Sequence, residues 1–96
     1  LEKLRIVLRK SVPEHMDRIR AAWADRDLGR LREAAHQLVG TVGAFSTVTA
    51  DVATTLEDAA TGGDLDICAA LVERVDRMCA ALLDATVTLS LDSLEL

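Results

Sequence analysis

Val12, Met16, Ile19 and Trp23 stand at i, i+4, i+7 and i+11, and a similar spacing returns in Leu31, Ala35, Leu38, Val42 and Phe45. Apolar residues recurring every three or four positions line one side of an α-helix, whereas a half-buried strand needs strict alternation. A chain that repeats such stripes along most of its length is committed to helices packed by one face. Breakers then decide where each helix stops. One proline and five glycines in 96 residues leave little material for a turn-rich β fold. The apolar half of the chain is mostly Ala, Leu and Val, with Trp23 and Phe45 the only aromatics, which suits close-packed helices.

The stripes and their punctuation predict five helical segments. Leu4, Val7 and Leu8 suggest a short first helix ending near Ser11. There "SVPE" offers a capping box of Ser11 with Glu14 and a proline in the first turn of a second helix. Asp25 to Asp27 breaks the second stripe, and Asp27 caps a third helix over about 28–45. Ser46 or Thr47 caps a fourth, with a stripe of Val48, Val52, Leu56 and Ala59 or Ala60. "TGGD" at 61–64 stops it, and Asp64 caps the fifth. That helix is the longest, with a seam of Leu65, Cys68, Leu71, Val75, Met78 and Leu82 widened by Val72, Cys79 and Leu83. Beyond Asp84, "TVTLSLDSLEL" fits a fraying helix or an extended tail, so residues 87–96 stay open. Short links favour antiparallel neighbours. The expectation is one all-α domain over residues 1–96, an antiparallel up-down-up-down four-helix bundle with a short extra N-terminal helix.

Charge and composition narrow the function. A net charge of -5 argues against a nucleic-acid surface, which needs a basic face to displace counterions. No apolar run approaches the length of a membrane span and no signal-peptide pattern appears, so no membrane partner is expected. Cys68 and Cys79 are three helical turns apart, too far for a mutual disulfide, and read as small buried apolar residues in a reducing cytoplasm. The chain starts at Leu1, as a piece of a longer polypeptide would. His15, beside Met16, reads as a histidine at the edge of the bundle. A metal site built from His15, His36, Cys68 and Cys79 lacks the short ligand spacings that zinc uses, so no metal is expected. The carboxylate pairs Glu57 with Asp58 and Asp64 with Asp66 read as caps and solvated surface.

One stretch resists a purely structural reading. In "AAHQLVGTVGAFS", residues 34–46, a helix accepts Gly40 and Gly43, each costing roughly 1 kcal/mol against alanine in a helix interior. Gly29, Arg32, Glu33, Gly40 and Gly43 share the side of His36, rotated away from the core stripe. The histidine is therefore expected to project into solvent from a nearly bare helix surface, where another macromolecule can approach one ring nitrogen. A neutral imidazole keeps one nitrogen lone pair and is a competent phosphoryl acceptor. Positioning and charge compensation carry most of such a transfer.

The same stretch resembles the signature of histidine-containing phosphotransfer (HPt) domains, a His-x-Leu-Lys-Gly run followed by small residues, a second glycine and an apolar residue. His36, Leu38, Gly40, Gly43 and Phe45 match it, and "ADRDLGRLREAAHQL" is similar to the family's approach to its histidine. The resemblance implies a phosphoryl carrier with no kinase activity of its own. His36 would exchange a phosphoryl group with the aspartate of a response-regulator receiver domain. Arg32, Glu33, Gln37, Val39, Gly40 and Gly43 would form the supporting or docking face. The implied partners are a receiver and a histidine kinase. The carrier would act as a monomer without a cofactor, Mg²⁺ belonging to the receiver. Val39 departs from the pattern, standing where the family has a lysine that compensates phosphoryl charge; Arg32, one turn before His36, is the candidate substitute. The alternative is a docking or dimerisation module that uses the same face without phosphorylation.

Overall fold

The computed structural model describes the backbone over residues 2–43 and 45–95, and the side chains at residue 6 and over 8–43 and 45–84. Four helices follow one another: α1 (Glu2–Ala24), α2 (Leu28–Val42), α3 (Thr47–Gly62) and α4 (Leu65–Glu95). Each packs on two others, α1 on α2 and α4, and α3 on α2 and α4, while the diagonal pairs stay apart among the described residues. This is the expected up-down-up-down bundle, an elongated body of 49 × 19 × 18 Å. None of its helices is long and apolar enough to cross a membrane, among the described residues.

The separate N-terminal helix is not formed. α1 runs unbroken through Ser11 with Pro13 inside it. Interrupting it would separate Leu8 from Val12, which are 1% and 0% exposed and continue the stripe of Met16 and Ile19. Burying two such side chains is worth about 1.5 to 3 kcal/mol each, against about 3 kcal/mol for a proline in a helix interior. The exposed Pro13 ring turns away from that core. The side chains of Leu4 and Val7, assigned to the short helix, lie outside the described ones.

The other boundaries follow their caps. The Asp27 carboxylate accepts the Arg30 N–H at 3.2 Å and starts α2. α2 stops at Val42, short of the expected 45, because Phe45 and Ser46 both turn back to donate their N–H groups to the Val42 carbonyl. Phe45 still packs against the core from outside the helix. Ser46 caps α3, accepting the Thr49 N–H at 3.1 Å while its hydroxyl donates to Thr49 Oγ1 at 2.9 Å. That bracket turns Thr49 inward and shifts the stripe to Thr49, Val52, Ala53, Leu56 and Ala60, so Val48 is 63% exposed, not buried as expected. Gly63 closes α3 at φ 76°, a left-handed conformation that glycine adopts without strain. Asp64 then accepts the Ile67 N–H at 3.1 Å and opens α4.

The α4 seam also differs in detail. Cys68, Val72, Val75 and Cys79 are buried, and Leu71, Met78, Leu82 and Leu83 flank them half-buried. Leu65, in the first turn, is exposed. Both cysteines are free thiols inside the core, and burial pushes the Cys79 pKa up to about 11. The backbone of α4 continues as helix to Glu95, so the extended-tail alternative is not realised there. Leu89 and its neighbours lie outside the described side chains.

Candidate functional site

α2 is the short helix that faces two partners and solvent at once. Its buried residues Leu31, Ala34, Ala35, Leu38 and Val42 occupy one side. His36 lies opposite, its side chain 74% exposed, as the spacing predicts. The imidazole is nevertheless held. Nδ1 lies 3.0 Å from Glu57 Oε1 and 3.1 Å from Oε2, both on α3. A carboxylate only accepts hydrogen bonds, so Nδ1 carries the proton and, in the neutral ring, the lone pair is on Nε2. Glu57 itself is only 21% exposed, so the α2–α3 packing fixes the carboxylate that fixes the ring.

This corrects the reading of Glu57 as cap or solvated surface. The pairing spans 21 residues of sequence and depends on the register in which α2 and α3 fold back.

The two glycines of the motif differ. A Cβ at Gly40 would meet nothing within 4 Å, so packing does not require that glycine and the open space lies beside the imidazole. A Cβ at Gly43 would stand 3.0 Å from the Val39 carbonyl oxygen, which accepts the Gly43 N–H, so there the helix end itself favours glycine.

Arg32, Glu33 and Gln37 are exposed on α2, as the docking-face reading expects. Arg32 makes no hydrogen bond or ion pair among the described residues, leaving its guanidinium available one turn before His36. Val39 is half-buried and packs against the core. Its side chain therefore belongs as much to the bundle as to the His36 face.

On the other side of α2, Gln37 Oε1 accepts from Arg18 Nη1 of α1 at 3.3 Å. Near them His15 of α1 bonds through Nε2 to Thr41 Oγ1 at 2.8 Å. The Thr41 hydroxyl donates to the Gln37 carbonyl at 3.3 Å, so it accepts from His15 Nε2–H. His15 Nδ1 is buried with no partner. Burial, and then the Arg18 charge, lower the His15 pKa from the ordinary 6.5, with Glu14 opposing. His15 is thus the boundary histidine that its position beside Met16 predicts. The grouping of His15, His36, Cys68 and Cys79 does not come together, and no other cluster of three metal-ligating side chains occurs among the described residues.

The arrangement can present one nucleophilic nitrogen with the opposite nitrogen anchored. Comparison with known proteins gives the family. The Hpt domain family model matches residues 3–85. No curated protein and no solved structure matches the chain significantly. Hpt domains serve phosphotransfer in two-component relays, where receiver domains and kinases are their usual partners.

Proposed function

Because the chain belongs to the Hpt domain family, we propose that it is a relay intermediate whose His36 takes a phosphoryl group from the aspartyl phosphate of a response-regulator receiver domain and returns it to a receiver. One observation carries the reading: His36 is exposed while its Nδ1 is engaged by Glu57. Nε2 attacks phosphorus, the Nε2–P bond forms and the acyl phosphate P–O bond breaks, leaving a free carboxylate on the receiver. The Nδ1 proton stays on the ring, which becomes cationic as the bond forms. The Glu57 carboxylate supports that charge, an interaction stronger in the transition state than in the resting ring.

Gly40 leaves the approach to Nε2 open, and Arg32 is the cation of this chain placed to compensate phosphoryl oxygens where Val39 replaces the family's lysine. Mg²⁺ would act on the receiver, and the chain itself would start no phosphorylation from ATP. The test is incubation with phosphorylated receiver domains. The expected product is an acid-labile, alkali-stable phosphate on this chain and none on His36→Gln. A chain that binds receivers but never takes up phosphate is instead the docking module.

A further inference from the structure

Between α1 and α2, beside the His36 face, Arg18, Arg30, Glu33, Ala34 and Gln37 line an open cleft of about 420 Å³. Two arginines from different helices line it, in a chain with 16 acidic and 11 basic residues. Arg18 has only the 3.3 Å bond to the neutral Gln37 amide, and no carboxylate counter-ion among the described residues. Arg30 gives Nη1 to the exposed Asp25 at 3.1 Å and keeps its remaining N–H donors. Glu33, the single carboxylate in the lining, bonds neither arginine.

The geometry points to this cleft as the seat for a carboxylate side chain of the receiver, a protein docking contact that rests on the carrier reading above. Glu33 and Gln37 flank His36 on α2 by about 60° and 100° around the helix, on the side away from Glu57. A protein that brings phosphorus to Nε2 from this side lies over the cleft. A guanidinium fork matches a carboxylate in geometry as well as charge, and Gln37 already holds Arg18 toward α2, so little side-chain freedom is lost on docking. The long neutral bond to Gln37 is exchanged for charge-assisted ones. The cleft is open, which suits a side chain borne on a surface better than an enclosed small molecule. Glu33 opposes the contact and tunes it downward.

The experiment titrates the ¹⁵N-labelled chain with the receiver domains of its own genome, each activated with beryllofluoride, and follows the arginine side-chain resonances. In parallel, phosphoramidate serves as a small phosphoryl donor: its P–N bond breaks, Nε2–P forms and ammonia leaves. Arg18→Glu with Arg30→Glu is expected to slow receiver association about tenfold and flatten its salt dependence, and Glu33→Gln to strengthen binding. Labelling of His36 by phosphoramidate should be unchanged in the double arginine variant, which also reports an intact fold. Receiver binding indifferent to these charges overturns the cleft and leaves the carrier reading standing. So does inorganic phosphate alone shifting the Arg18 and Arg30 resonances while receivers leave them still. Charge-sensitive receiver binding without any labelling of His36 supports the cleft and overturns the carrier.

Discussion

The two histidines are each tied across a helix pair, but through opposite nitrogens. His15 joins α1 to α2 through Nε2, and its remaining lone pair on Nδ1 is walled inside the packing. His36 joins α2 to α3 through Nδ1 and leaves Nε2 outward. The same ring is thereby closed off in one place and left with a lone pair toward solvent in the other. What decides is the partner: a threonine hydroxyl already committed to a carbonyl takes the outer proton of His15, and a half-hidden carboxylate takes the inner proton of His36.

The largest test of this contrast exchanges the histidines one at a time. His36→Gln is expected to abolish phosphate uptake with the helical content intact, because an exposed side chain contributes little to packing. His15→Gln should label at the level of the natural chain, as read by phosphate bound per chain. Uptake surviving in the first variant would place the acceptor elsewhere.

Next in size is the loss of the anchor. Glu57→Ala removes a charge-assisted hydrogen bond worth about 1.5 to 3 kcal/mol. It should slow phosphoryl acceptance by roughly tenfold to a hundredfold in rapid-quench kinetics. Glu57→Gln keeps an acceptor for Nδ1–H and should fall between the two. An unchanged rate in Glu57→Ala would mean that orientation of the ring is not limiting.

Charge compensation sharpens the contrast further, since on the proposed function only His36 acquires a phosphoryl group. Arg32→Ala is expected to slow acceptance by roughly tenfold or less, and Val39→Lys to speed it by a similar factor, its stem lying along the core edge that Val39 now covers. Equal rates for all three chains at fixed ionic strength would assign the compensation to the receiver.

The smallest effect concerns His15 and is read in stability. Its pKa is lower folded than unfolded, so the unfolded chain binds the proton first as pH falls through about 6.5. Stability is therefore complete above that pH and declines below it, until the folded histidine also protonates. Urea unfolding between about pH 7 and 5.5 should show this decline in the natural chain and a shallower one in His15→Gln. Parallel slopes would mean that the buried Nδ1 finds an acceptor when protonated.

These two sites were not equally legible. The stripe of Leu31, Ala35 and Leu38 places His36 on the outer side of its helix by spacing alone, and the structure agrees. Asp27, Gly63 and Asp64 act where local chemistry says they should, because a cap needs only its own next few residues. Ser11 and Pro13 carry an equally good local signal for a helix start, and it is overridden: the packing of Leu8 and Val12 is decided by the other helices, which spacing within one helix does not contain. Glu57 and Thr41 were out of reach for the same reason. Each acquires its role only when a second helix is set beside the first in a definite register.

α2 is short and fastened at both ends, by Asp27 before it and by the N–H groups of Phe45 and Ser46 on the Val42 carbonyl after it. His36 therefore stands at a counted distance, about two and a half turns beyond its cap. Substitutions along the outer face leave that count alone, but one residue inserted or deleted between Asp27 and His36 would swing the imidazole by about 100°, off Glu57. An added residue at the Gly62–Asp64 turn changes no such angle. In this fold a change of length is tolerated in the connections, and the helix that carries His36 can be rewritten but not resized.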